Sequence, residues 1–479
     1  MLKKILFFLF FSLIVLIFNV NAQTKINGTF PNAKGKTIRL LQYNDLVNRK
    51  QVEISSAIIK SDNSFELKTN NKQVTLVFLQ MEFFKIEFYA EPNKNYIIQF
   101  DTIDINNPKF YPNTVVGFLS PHFTIKNADA HELNNELAIN TEILSGFVDE
   151  NYLKIQRGLK LDSLNKVYNH LYDSLIRESK NPFTQDYLFY QKLQFDILCK
   201  KISDDSLNKT VFSGKNIRYD NLPYMDFFIS RWNGVFGKKF KNIKSGELDT
   251  VFLRKSGLAA FHKVLKKEKI FSDSLCRELA FLINVKFIAK DKANRQEAQE
   301  SLLTEIIKLS KNESSKKIAQ NILAESRMLR KGEKIFDFSM TDLKGNTFTN
   351  KDLEGRYTYI YFWTTRNPES VAEIEMIRQK TFDEFDDIIN FVTVSLDANP
   401  ETIEKYFKNN TYKWHVVHYA SGIQLLDDFN VEVLPYAILL DRNGKVEQIN
   451  ALLPSQGFSD FFIKMLNNKK GNLLMKDRE

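Results

Sequence analysis

Apolar and polar positions alternate with period two from residue 24 to about residue 105. Phe84, Ile86 and Phe88 alternate with Lys85, Glu87 and Tyr89, and Val74, Leu76 and Phe78 with Thr75, Val77 and Leu79. Ile38 and Leu40 flank Arg39, and Tyr96, Ile98 and Phe100 repeat the pattern. Alternation of this kind sends successive side chains to opposite faces of a strand. Ser61-Asp62-Asn63-Ser64, Asn70-Asn71 and Pro92-Asn93-Lys94-Asn95 supply the turns between them. Short strands so spaced predict an antiparallel sandwich or half-barrel. No acid pair, His cluster or phosphate loop stands out here, which points to a packing or adaptor module.

From about residue 119 to 330 the period becomes helical. Leu161, Leu164, Tyr168, Leu171 and Leu175 fall at steps of three and four, one apolar stripe of a helix. Leu302, Leu303, Ile306, Ile307 and Leu309 predict a second stripe, and Ile318, Ile322 and Leu329 a third. Phe227, Phe228, Trp232 and Phe236 predict an aromatic packing seam in a helical bundle. From about residue 331 strand and helix signals alternate. Tyr357 to Trp363 is an apolar, aromatic strand behind Arg356, followed by a helix from Pro368 to about Phe385. Asn390 to Leu396 is a second strand, Thr402 to Lys408 a helix, and Tyr436 to Leu440 a strand that ends in the hairpin signal Asp441-Arg442-Asn443-Gly444. Val446 and Ile449 lie on the return strand and Phe458 to Leu466 on a closing helix. That order predicts a mixed sheet with helices on both faces. The fold class expected is therefore multidomain α+β, with a β-rich domain over 23–118, a helical domain over 119–330 and an α/β domain over 331–479.

The segment 1–22 breaks both patterns. Lys3 and Lys4 precede an apolar run from Ile5 to Phe18, and Val20-Asn21-Ala22 places small residues where a signal peptidase reads. This is the form of a secretory signal peptide, too short for a membrane-spanning helix. Its removal takes the formal net charge from +9 to +7, with no integral membrane span expected in the mature chain and a periplasmic or cell-envelope location. Lysine runs such as Lys238-Lys239 and Lys266-Lys267 are interleaved with acids, as on solvated helix faces, so nucleic acid is not an expected partner.

Two cysteines in 479 residues exclude a disulfide-rich scaffold and leave room for a single dithiol. Cys199 and Cys276 both fall in apolar helical stretches, far apart in the chain, with no close-spaced dithiol motif; an oxidising compartment permits a structural disulfide between them. Other chemistry is sparse. His415 and His418 point to opposite faces of a strand, which argues against a shared metal, and no Gly-x-Ser-x-Gly elbow is present. No cofactor or metal is expected.

Segments of the last region match, in order, those of a known family. Phe336-Asp337-Phe338-Ser339-Met340-Thr341-Asp342 with Lys344-Gly345 resembles an opening hairpin, Asp352-Leu353-Glu354-Gly355 the lead into a central strand, and Val431-Glu432-Val433-Leu434-Pro435 a cis-proline loop. With Phe362-Trp363 and the Asp441–Gly444 turn, the region from about 331 to 470 resembles the thioredoxin-like fold, in its TlpA-like thiol-disulfide reductase branch. The β-rich and helical regions resemble, more loosely, the N-terminal extensions of envelope proteins of this type.

The family places Cys-Pro-x-Cys at the start of the helix. This chain reads Trp363-Thr364-Thr365-Arg366-Asn367-Pro368-Glu369-Ser370, with Asn367 at the nucleophile position and Ser370 at the resolving position. Disulfide exchange needs a thiolate to attack and a second thiol to release the mixed disulfide, so the family's redox chemistry is expected to be absent. Asn367 as N-cap, Pro368 in the first turn and Glu369 on the dipole keep the helix start intact, and Ser370 with Glu373 offers a second capping pattern. The family frame implies a groove lined by Trp363, Arg366, Asn367, Leu434 and Pro435 that takes an exported protein or peptide by strand addition. The expectation is a redox-inactive binding or assembly module. The alternative is a periplasmic thiol-disulfide oxidoreductase that uses Cys199 or Cys276.

Overall fold

The computed structural model describes residues 23–129, 131–212, 214–288, 293–408, 412–421 and 423–476; the expected signal peptide, 1–22, lies outside them. The chain divides into two compact units. The first holds most of the first two thirds of the chain, through Ile322. The second holds Leu323–Glu479 together with two excursions of the earlier chain, Glu82–Lys85 and Ile103–Ser120.

The first unit begins with β1 (Thr24–Thr29), β2 (Thr37–Tyr43), β3 (Gln51–Ile58), β4 (Ser64–Thr69), β5 (Thr75–Met81), β6 (Phe84–Ala90), β7 (Asn95–Phe100) and β8 (Phe123–Ile125). They form two four-stranded sheets, ordered β4-β1-β7-β8 and β3-β2-β5-β6. The period-two reading holds for β6 and β7, where buried positions alternate with more exposed ones, but not for β5, whose residues Val77 to Met81 are all buried because both faces of that strand are covered. One pairing departs from the antiparallel expectation, because β1 runs parallel to β7. Periodicity reports faces and not partners, so it cannot reveal which way a non-sequential neighbour runs. Gly28 sits where these strands crowd: a Cβ there would lie 2.4 Å from Phe65 Cζ and 2.6 Å from the Ile98 carbonyl.

The longer helices that follow are α1 (Leu133–Glu150), α2 (Leu161–Glu178), α3 (Pro182–Leu198), α4 (Leu222–Trp232), α5 (Ser274–Ile288), α6 (Ala293–Leu309) and α7 (Glu313–Arg327). The first stripe lies on α2, where Leu164, Tyr168 and Leu175 are buried and Leu161 and Leu171 partly so. Tyr168 stacks on Phe195 of α3 at 4.0 Å between ring centroids. Phe227, Phe228 and Trp232 are buried on α4. The other two stripes are shorter than expected. Leu309 faces outward at the end of α6, and Leu329 lies beyond α7 with φ at 59°. Cys199 and Cys276 are both free and buried, so no disulfide joins them.

The second unit is an α/β domain. A two-stranded hairpin, β9 (Ser339–Thr341) and β10 (Thr347–Thr349), precedes β11 (Tyr357–Trp363), α8 (Pro368–Met376), β12 (Ile389–Ser395), α9 (Pro400–Lys408), β13 (His415–His418), β14 (Tyr436–Leu440), β15 (Val446–Ile449) and α10 (Phe458–Lys476). The five-stranded sheet runs β13-β12-β11-β14-β15. β11 is parallel to β12 and antiparallel to β14. All seven residues of β11 are buried, as a central strand covered on both faces requires. Tyr359, Tyr361 and Trp363 project from it into a core with Ile374, Phe391, Phe407, Phe458 and Phe462. Among the described residues, no helix is long and apolar enough to cross a membrane.

Candidate functional site

The loop from β11 into α8 carries Thr364, Thr365, Arg366 and Asn367, and a buried carboxylate shapes it. Asp397, just past β12, accepts hydrogen bonds from Thr364 Oγ1 at 2.9 Å, Thr365 Oγ1 at 2.7 Å, the Thr365 backbone N–H at 3.0 Å and Ser395 Oγ at 2.6 Å. A buried carboxylate is tolerated only when its lone pairs are satisfied in this way. His418 Nε2 meets the Asp397 carbonyl at 2.8 Å, while His415 Nδ1 pairs with Asp342 Oδ2 at 3.0 Å. The two imidazoles thus bond to different groups.

Asn367 caps α8. Its Oδ1 accepts from the N–H groups of Glu369 at 2.9 Å and Ser370 at 3.1 Å. The second expected capping pattern is not used: Ser370 is fully buried and its hydroxyl has no hydrogen-bond partner. Glu373 instead accepts from the backbone N–H and hydroxyl of Ser455. One cap already satisfies the free amides of the first turn, which leaves the later pattern without a donor to serve.

The other half of the Asn367 amide faces outward, and there it meets the chain itself. Asn367 Nδ2 donates to the Asn113 carbonyl at 3.0 Å, with Leu434 O at 3.4 Å and Thr114 Oγ1 at 3.5 Å. Arg366 Nη2 donates to the carbonyls of Tyr111 and, at 3.1 Å, Pro112. The Leu434 N–H donates to the Thr114 carbonyl at 2.7 Å, and the Val116 N–H to the Glu432 carbonyl at 2.9 Å. Val115 and Val433 face each other across this antiparallel bridge, and the Leu434–Pro435 peptide beside it is cis. Four successive carbonyls, 111 to 114, are thus each taken by the groove. The segment is anchored by Tyr111, whose ring packs edge-on against Phe83 and whose hydroxyl lies 2.7 Å from both Glu82 Oε2 and the Ile105 carbonyl.

The structure therefore brings Arg366, Asn367, Leu434 and the Pro435 loop together, and fills the space they define. Trp363 stands apart from the lining: its side chain is fully buried against Tyr406 and Phe407. Sequence reasoning missed Asp397 and residues 111–116. Asp397 follows an ordinary strand, and the segment is held through its main chain, which leaves no mark in side-chain pattern.

The two thiols sit in the helical unit. Burial pushes the Cys276 thiol up to about 12, with the nearby Asp273 carboxylate adding to it. Burial, helped by Asp196, also raises the Cys199 thiol. Neither is disposed to form the thiolate that disulfide exchange requires.

A parallel-centred sheet, a helix beginning at residue 368 and a cis-proline loop facing that helix start define the C-terminal domain as thioredoxin-like. Residues 355–446 match the thioredoxin-like family model, and residues 24–132 match a domain of unknown function (DUF4369). The chain resembles the thiol-disulfide oxidoreductase ResA of Halalkalibacterium halodurans, 22% identical over 131 residues, covering 27% of this chain and 73% of that protein. ResA of Geobacillus kaustophilus is 27% identical over 138 residues, covering 28% and 75%. Among solved structures, the thioredoxin domain of a thiol-disulfide oxidoreductase from Bacteroides vulgatus is 24% identical, covering 28% of this chain and 95% of that one, with a TM-score of 0.25. StoA from Bacillus subtilis is 23% identical, covering 25% and 92%, with a TM-score of 0.23.

Proposed function

We propose that this chain is an exported protein of the bacterial cell envelope whose thioredoxin-like domain has given up thiol chemistry and works as a binding or assembly module for proteins or peptides. The observation that carries this reading is the amide of Asn367. It stands where the relatives' reaction would need an attacking thiolate, and it spends one half on the helix cap and the other on a main-chain carbonyl. The helix start and the cis-proline loop hold a neutral extended segment by hydrogen bonds. Electrostatic activation of a sulfur by the helix start has nothing to act on, while the N–H and C=O groups of residues 432–434 keep their capacity for strand addition. The apolar leader, Ile5 to Phe18, supports export.

Insulin reduction by the purified chain starting at Gln23 tests the loss of redox activity. The expected result is no turnover above the dithiothreitol background. Turnover that disappears in Cys199→Ala or Cys276→Ala would restore the oxidoreductase reading.

A further inference from the structure

We infer that residues 111–116 are a tethered ligand of the thioredoxin-like groove, so that an external extended peptide enters only by displacing the chain's own segment. The inference rests on the binding-module reading and adds its regulation and ligand class. Five hydrogen bonds to the segment come from Arg366, Asn367 and the 432–434 backbone, and each of these is made to a main-chain atom of the segment. Only the long Asn367 contact to Thr114 Oγ1, at 3.5 Å, touches a side chain. Over residues 113–116 the groove therefore reads an extended backbone and is nearly indifferent to side chains. The outward side chains agree with this: Val115 is 70% exposed and Val433 51% exposed, so neither fills a specificity pocket. The ligand class is a neutral extended peptide, and Tyr111-Pro112 is the one part of the resident segment with buried side chains.

Tethering sets the competition. A segment joined by a short connection acts at an effective concentration of order millimolar. If the free segment binds at about 100 μM, the groove is filled from within roughly ten times out of eleven, and outside peptides bind about tenfold more weakly than to an empty groove. Such a groove answers to high local concentrations of a partner or to a partner that pulls the segment away.

The pairing offers a direct test. Val116 N–H and Leu434 N–H bond to Glu432 O and Thr114 O, so Val115 and Val433 form a non-hydrogen-bonded antiparallel pair. Their Cα atoms then lie at about 4.5 Å, within the span of a disulfide. In the full chain, Val115→Cys/Val433→Cys should cross-link on mild oxidation, while Val116→Pro removes a donor and loosens the segment. The probe is a fluorescent synthetic peptide of residues 108–118. It should bind Val116→Pro about tenfold more tightly than wild type, and the oxidised double variant not at all. Failure to cross-link overturns the tethered ligand, as does equal peptide affinity for locked, wild-type and loosened forms. A cross-link that forms while the peptide binds none of the three overturns the competition and with it the binding module, whereas insulin turnover would overturn only the loss of redox chemistry.

Discussion

Replacing Asn367 by Asp separates two roles that the amide combines. The carboxylate is nearly isosteric, keeps an oxygen for the Glu369 and Ser370 N–H groups, and complements the helix dipole. If capping were the whole role, Asn367→Asp would be neutral or stabilising by about 0.5 kcal/mol. The other half of the side chain reverses that. Nδ2 donates to Asn113 O and lies within 3.5 Å of Leu434 O and Thr114 Oγ1, so the substitution turns a donor into an anion facing two carbonyl oxygens. Loss of a buried hydrogen bond that leaves an acceptor unpaired costs about 1–3 kcal/mol, and the expected net loss at pH 7 is about 2 kcal/mol. The penalty belongs to the ionised form. It should shrink as pH falls toward the ordinary carboxyl value near 4 and the protonated acid regains a donor. Asn367→Ala loses cap and donor together and should cost about 2 kcal/mol at every pH. Hydrogen exchange of the 355–376 region in urea, compared with wild type at each pH, reads the difference. An Asn367→Asp protein as stable as wild type at pH 7 would show that residue 113 is not held by this side chain.

Asp397→Ala should destabilise the same domain by about 3 kcal/mol in urea unfolding, because four donors from Thr364, Thr365 and Ser395 lose their acceptor inside the fold. His262 is pulled down to about 4, first by burial and then by the Arg277 guanidinium, whose Nε donates to its Nδ1 at 3.2 Å. The unfolded chain takes up that proton from about pH 6.5 downward and the folded chain only near 4, so stability is full above 6.5 and falls between the two. The loss is about 2 kcal/mol after allowing for partial solvation, and thermal unfolding of His262→Gln should lack that pH dependence. Gly28→Ala should cost about 2 kcal/mol or more in the β-rich unit, since its Cβ collides with Phe65 and the Ile98 carbonyl; unchanged thermal unfolding would mean that β1 and β7 can separate.

The elements that sequence revealed are those written in side-chain period. The alternation of β7, the stripe of α2 and the unbroken apolar run of β11 each name a buried face, and each face is where the pattern places it. The helix start was legible for a second reason: Asn367, Pro368 and Glu369 are chosen for a cap. The occupant of the groove was not legible, because residues 111–116 bond through their backbone and any sequence has one. Expecting Trp363 in the lining failed for a related reason. On a central strand packed on both faces, the last residue is still inside the sheet, and the indole turns to Phe407 in place of the loop.

Amide exchange at Leu434 and Val116 tests the closed groove most directly. Both N–H groups lie on a connecting loop or segment and are bonded only across the groove, to Thr114 O and Glu432 O. A segment resident about ten times out of eleven predicts slowing of roughly tenfold at both amides relative to an unstructured peptide, and in Val116→Pro, which has no amide at 116, that slowing is lost at Leu434. Exchange of the Leu434 amide at the unstructured rate in the wild-type protein would contradict the account.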